Sequence, residues 1–223
     1  MRFPNALEGM KKIRTSTILS LCLAVLAALI FFCSMTQSED VLPLLLIIVL
    51  AALVLSITGI ILELVGVSRA ARDMSSFSSA RTVLIVGLVI SVVSGFFSQD
   101  SVLRSVMSLL NSVCSIFATM LILQATVDLA KVSQRPDVAE RGQSMLRVVI
   151  GLMVAGLVLA VVQLIVPSSA QALNLVLSLA GLALSLLQAF LLLRYYREVI
   201  EMLEAGGREA GDESASARSS HFE

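Results

Sequence analysis

Histidine, tryptophan and charge are what this sequence lacks. It has one histidine, no tryptophan, and only 14% Asp, Glu, Lys and Arg, where soluble domains carry about 25%. So few charges cannot cover a water-facing surface. The single histidine, His221, falls in a polar C-terminal stretch. That removes histidine general acid/base chemistry, Ser-His-Asp triads and histidine metal sites from the apolar body of the chain. No H-E-x-x-H, G-x-S-x-G or glycine-rich phosphate loop occurs either. The expectation is therefore a chain that is not an enzyme and that uses no cofactor and no metal. Basic stripes interleaved with aromatics are missing too, which argues against nucleic acid as a partner. The three cysteines, Cys22, Cys33 and Cys114, are odd in number and lie in apolar stretches, so no disulfide framework follows.

What is present is long uncharged sequence. Residues 15–38, 41–62, 82–99, 105–127 and 148–193 contain no Asp, Glu, Lys or Arg. At 1.5 Å per residue, roughly 20 apolar residues cross a hydrocarbon layer about 30 Å thick. The last run is 46 residues long and is divided at Pro167-Ser168-Ser169, where a helix cannot continue. Six crossings result, at about 15–36, 41–66, 82–98, 103–128, 147–166 and 171–194. The fold class is an all-α polytopic membrane protein, with a six-helix domain over 15–197. The first crossing lacks an A-x-A-like cleavage site and reads as a retained anchor. The first 14 residues form a cytoplasmic segment with a short interfacial helix broken at Gly9. A cytoplasmic tail, 198–223, has no fixed structure after 206 because it is polar and poor in apolar residues.

Basic residues are enriched on the cytoplasmic side of membrane proteins. With both termini inside, 15 of the 16 Lys and Arg residues fall in inner segments, and only Arg104 lies outside. The expected location is a plasma (inner) membrane, multi-pass, N-in and C-in, with the lipid bilayer as solvent. Inner loops at 68–81 and 131–147 are the longer ones.

The chain also repeats. Arg14, Arg81 and Arg147 precede the odd crossings at intervals of 67 and 66 residues. Three hairpins with a pseudo-threefold relation are the simplest account. In outline this resembles mitochondrial carriers, but the odd crossings lack that family's Pro-x-acid-x-x-base motif, and no function is carried over.

Two crossings carry polar faces. On the fourth, Ser108, Asn111, Ser115, Thr119 and Thr126 share one side at 100° per residue; on the sixth, Asn174, Ser178, Gly181, Ser185 and Gln188 do so. Asn111, Ser115, Thr119, Asn174, Ser178 and Ser185 are the candidate ligand-binding residues. The competing reading is interhelical hydrogen bonding, worth about 0.6 kcal/mol per contact. Small residues every fourth position, including Gly151/Ala155, Gly156/Ala160 and Gly181/Ser185, suggest close helix packing, and leave room for a homo-oligomer or another membrane-protein partner. Glu63 and Asp128 border their spans from inside and read as interfacial ion-pair partners of Arg69, Arg81 and Arg147, with no ionisable group at mid-depth. The expected role is a non-enzymatic bundle serving as scaffold or accessory subunit of a membrane assembly. The alternative is a small permease or channel-like transporter for an uncharged small-molecule solute, with a polar cleft between helices 4 and 6.

Overall fold

Proline fixes φ near its helical value and lacks the N–H that a first turn leaves unbonded, so it suits helix starts. In the computed structural model, which describes residues 3–35, 42–97, 102–165 and 171–219, α1 (Pro4–Met35) and α5 (Pro136–Ile165) each begin on one. Between them lie α2 (Leu42–Asp73), α3 (Ser76–Ser94) and α4 (Val102–Val132), and α6 (Gln171–Ser219) follows. No strand occurs among the described residues. All six helices are long and apolar enough to cross a bilayer. They form three hairpins, α1–α2, α3–α4 and α5–α6, and α6 returns against α1 to close a ring.

At the end where the basic residues gather, the helices overrun the expected spans. Only Met74 and Ser75 separate α2 from α3, and residues 133–135 separate α4 from α5. The long inner loops expected at 68–81 and 131–147 are thus mostly helix. Extending an existing helix adds a hydrogen bond for each residue fixed. The added turns also bury Val67, Ala70, Phe77, Ala80, Leu129, Ala130, Val138 and Ala139 against one another. The turn after α4 is a Schellman closure: Arg135 N–H donates to Ala130 O at 3.1 Å and Gln134 N–H to Lys131 O at 3.0 Å. It needs a left-handed residue, and Gln134 takes that role at φ 57°.

The N-terminal segment also departs from expectation. Gly9 does not break a helix; α1 runs through it without interruption. A Cβ on Gly9 would come within 2.5 Å of the Gly66 carbonyl, and one on Gly66 within 2.8 Å of the Gly9 carbonyl. The two glycines are where α1 and α2 touch backbone to backbone. Asp73 then caps α1 from the far end of α2, accepting from Ala6 N–H and from Asn5 Nδ2, both at 2.8 Å. Beside it, Arg69 pairs with Glu8, and Lys11 pairs with Glu204 of α6 at 2.7 Å.

Helix α6 continues through Gly206 and Gly207 to Ser219, where the sequence suggests no fixed structure. The Ala, Glu and Arg residues of this stretch are good helix formers, and they propagate from an already folded α6.

Burial is uneven along the bundle. The large buried side chains, among them Met10, Ile13, Ile122, Leu123, Leu129, Tyr195, Tyr196 and Val199, cluster toward the basic end. Beyond them the outward faces are bare: Leu46 is 71% exposed and Ile47 65%. Apolar faces this exposed, on helices of this length, meet lipid. The bundle is tight at the basic end and spread at the other.

Candidate functional site

The spread half encloses polar space. A cleft of about 660 Å³ lies between α4, α5 and α6, lined by Asn111, Ser115, Gln163, Ser178, Ser185 and Gln188 together with Gly156 and Gly181. A central cavity of about 260 Å³ lies between α1, α2, α4 and α6. Its polar lining is Ser16, Thr17, Ser20, Glu63, Ser115, Thr119, Ser185 and Gln188. A side cavity of about 160 Å³ between α2, α3 and α4 is lined by Glu63, Ser91, Asn111 and Ser115. Ser115 borders all three spaces. It stands where they meet.

Glycines open the cleft. A Cβ added to Gly156 or Gly181, which line it, would meet nothing within 4 Å, and neither would one on Gly151, which lies outside the lining. The small-residue stripes of α5 and α6 therefore do not bring backbones together at these glycines, as the sequence suggests. Gly87 of α3 is packed instead: a Cβ added there would lie 3.4 Å from Cys114 Cβ and 3.6 Å from Asn111 Oδ1.

Of the six expected ligand-binding residues, the structure brings five to this connected space: Asn111, Ser115, Thr119, Ser178 and Ser185. Asn174, one turn before Ser178, does not line it and is engaged elsewhere. Some hydroxyls are committed to backbone: Thr119 donates to Ser115 O at 3.0 Å and Ser185 to Gly181 O at 2.9 Å. Ser178 accepts from Gln163 Nε2 at 3.3 Å across α5 and α6. Glu63 and the side chains of Asn111, Ser115 and Gln188 make no hydrogen bond among the described residues. Interhelical bonding accounts for Ser16, which donates to Gly59 O at 2.9 Å between α1 and α2. It does not account for these four.

Glu63 is the largest departure from the sequence reading. Its expected ion pair is absent among the described residues: Arg69 pairs with Glu8, and Asp128 pairs with its own neighbour Lys131 at 3.6 Å. Arg81 and Arg147 are exposed and form no ion pair among the described residues. The uncharged run stops at Leu62, which suggests that the span stops there too. The helix continues ten residues beyond Glu63, to Asp73, so Glu63 lies about 15 Å inside its end, beyond reach of a helix-end dipole effect. The signal is present in Ile61-Leu62-Glu63-Leu64-Val65-Gly66-Val67, a carboxylate with apolar sequence on both sides. Acidic residues within membrane helices face protein interiors or water-filled cavities. Gln163 and Ser20 give no comparable signal, being isolated polar residues in apolar runs, and Ser16 lies in the polar stretch Arg14-Thr15-Ser16-Thr17 where the span begins.

The floor of the central cavity is apolar: Ile13, Ile122, Leu192 and Tyr196 line it and belong to the packed basic end. No cluster of three or more His, Cys, Asp or Glu residues able to hold a metal occurs among the described residues. No protein-family model, curated protein or solved structure matches the chain.

Proposed function

We propose that this chain is a non-enzymatic membrane permease that takes a small polar solute into the space between α1, α2, α4 and α6. The observation that carries the reading is the junction at Ser115. Uncommitted polar groups from three helices, Glu63, Asn111, Ser115 and Gln188, line three neighbouring spaces that share Ser115. These groups are half-buried or exposed toward the spaces between the helices, and polar side chains within membrane spans face protein interiors or water-filled cavities, so water or a solute that replaces it fits them. A scaffold needs lipid-facing surfaces and would gain from filling this space with apolar side chains. The tight basic end acts as the closed gate, and the sorting of Lys and Arg supports a cytoplasmic position for that gate and for both termini in a plasma membrane.

Stopped-flow light scattering on proteoliposomes tests it. Vesicles shocked with small polar solutes should reswell faster than empty liposomes for at least one of them. Ser115→Phe, which fills the junction, should abolish that difference, and Asn111→Ala should reduce it about tenfold, the loss of roughly one good hydrogen-bonding group. Reswelling at the empty-liposome rate across neutral, zwitterionic and cationic solutes would end the permease reading and return the scaffold role.

A further inference from the structure

We infer that the solute taken by the central cavity is a monovalent organic cation, an ammonium bearing small alkyl groups, held by Glu63 and exchanged for the proton that Glu63 otherwise carries. This rests on the reading of the cavity as a solute site and names the solute class. Glu63 lines the central cavity on one side and the α2–α3–α4 cavity on the other. No Lys, Arg or second carboxylate lines either space among the described residues. The titratable groups facing Glu63 are Tyr196 from α6 in the central cavity and Cys114 from α4 in the side cavity; α1 and α3 present none there. Arg14, one position on from Ile13, does not belong to the lining, and its Nε is buried without a hydrogen-bond partner. One carboxylate is thus left to be neutralised by what enters.

The rest of the lining selects the kind of cation. A divalent ion would leave one positive charge uncompensated against the single carboxylate; beside the hydroxyls of Ser16, Thr17, Ser20, Ser115, Thr119 and Ser185, the residues Ile13, Ile122, Leu192 and the ring of Tyr196 form an apolar floor. Alkyl groups suit such walls, and a weakly hydrated ammonium gains from an aromatic face. Thr119 and Ser115 keep oxygen lone pairs that can accept an N–H or polarised C–H. Proton and cation each neutralise the same carboxylate, so only one is held at a time. Binding one cation releases one proton.

Calorimetry on the purified full-length protein in detergent decides this, with choline as the probe and 3,3-dimethylbutan-1-ol, its uncharged isostere, as the control. Choline should bind about tenfold or more tightly than the alcohol. Its affinity should rise from mildly acidic to mildly alkaline buffer, with proton release measurable by changing the buffer's ionisation enthalpy. Glu63→Gln should lose the preference for choline and the proton release while melting normally, and Glu63→Asp should keep both. Equal binding of choline and alcohol by wild type and Glu63→Gln would overturn the cation inference and leave the cavity reading standing. Choline binding that survives Ser115→Phe would place the ligand elsewhere and overturn both.

Discussion

Two glycines separate packing from space within one molecule. Gly9 faces the Gly66 backbone so closely that any Cβ must push α1 and α2 apart. Gly156 looks into the cleft with nothing within 4 Å. The same substitution should therefore have opposite consequences. Gly9→Leu overpacks the crossing and should cost about 3 kcal/mol, read as a lower melting temperature in detergent. Gly156→Leu gains up to about 1 kcal/mol of helix propensity and should melt no lower than wild type, while its side chain narrows the cleft and slows solute flux. Equal melting of the two variants would show that the α1–α2 crossing is not the tight contact described. Sequence cannot make this distinction, because a small residue repeating every fourth position fits both a close crossing and an open wall. Which it is depends on the neighbouring helix.

Among the elements, the turn between α4 and α5 is the one with a measurable local fault. Gln134 sits at φ 57°, where a side chain costs about 1 kcal/mol or more relative to glycine, and it does so to close the Schellman turn onto Ala130 and Lys131. Gln134→Gly should stabilise the protein by about 1 kcal/mol, less whatever the added freedom of the unfolded chain removes, and Gln134→Val should destabilise it by at least as much. Chemical denaturation in mixed micelles reports both; a glycine variant less stable than the valine one would contradict the backbone argument. The same element shows how much of the fold is legible in the residues. The helices and their hairpin order follow from uncharged runs and proline positions, since lipid permits few alternatives to a helix. Their ends do not. Helix continuation past Leu62 and through 131–147 depends on burial of Val67, Leu129 and Val138 against other helices, and the cap on α1 comes from Asp73 on α2, 67 residues away from Ala6. Glu63 is misplaced when the end of an uncharged run is taken for the end of a span, which hides the carboxylate of the site. Asn111, Ser115 and Thr119, placed by helical period alone, fall on the cavity.

For the whole molecule, the uneven packing carries a mechanical consequence. The proposed permease would have to open on its closed side, which is held by the core at the basic end, with Tyr195, Tyr196 and Val199 of α6 lying in the same cluster as Met10 and Ile13 of α1. The ring closes where α6 meets α1, and Lys11 and Glu204 mark that seam at 2.7 Å. An exposed pair like this contributes little energy, about 1 kcal/mol at most, so it can part during a cycle, whereas a covalent link cannot. With Cys22, Cys33 and Cys114 replaced by serine, Lys11→Cys and Glu204→Cys can be joined by a short reducible bis-thiosulfonate linker. Joining them should stop flux into proteoliposomes while leaving solute binding in detergent unchanged, because neither Lys11 nor Glu204 lines the cavity. Reduction should restore flux. Flux that continues through the linked protein would mean that α1 and α6 stay together during transport, and the opening would then have to come from another seam of the ring.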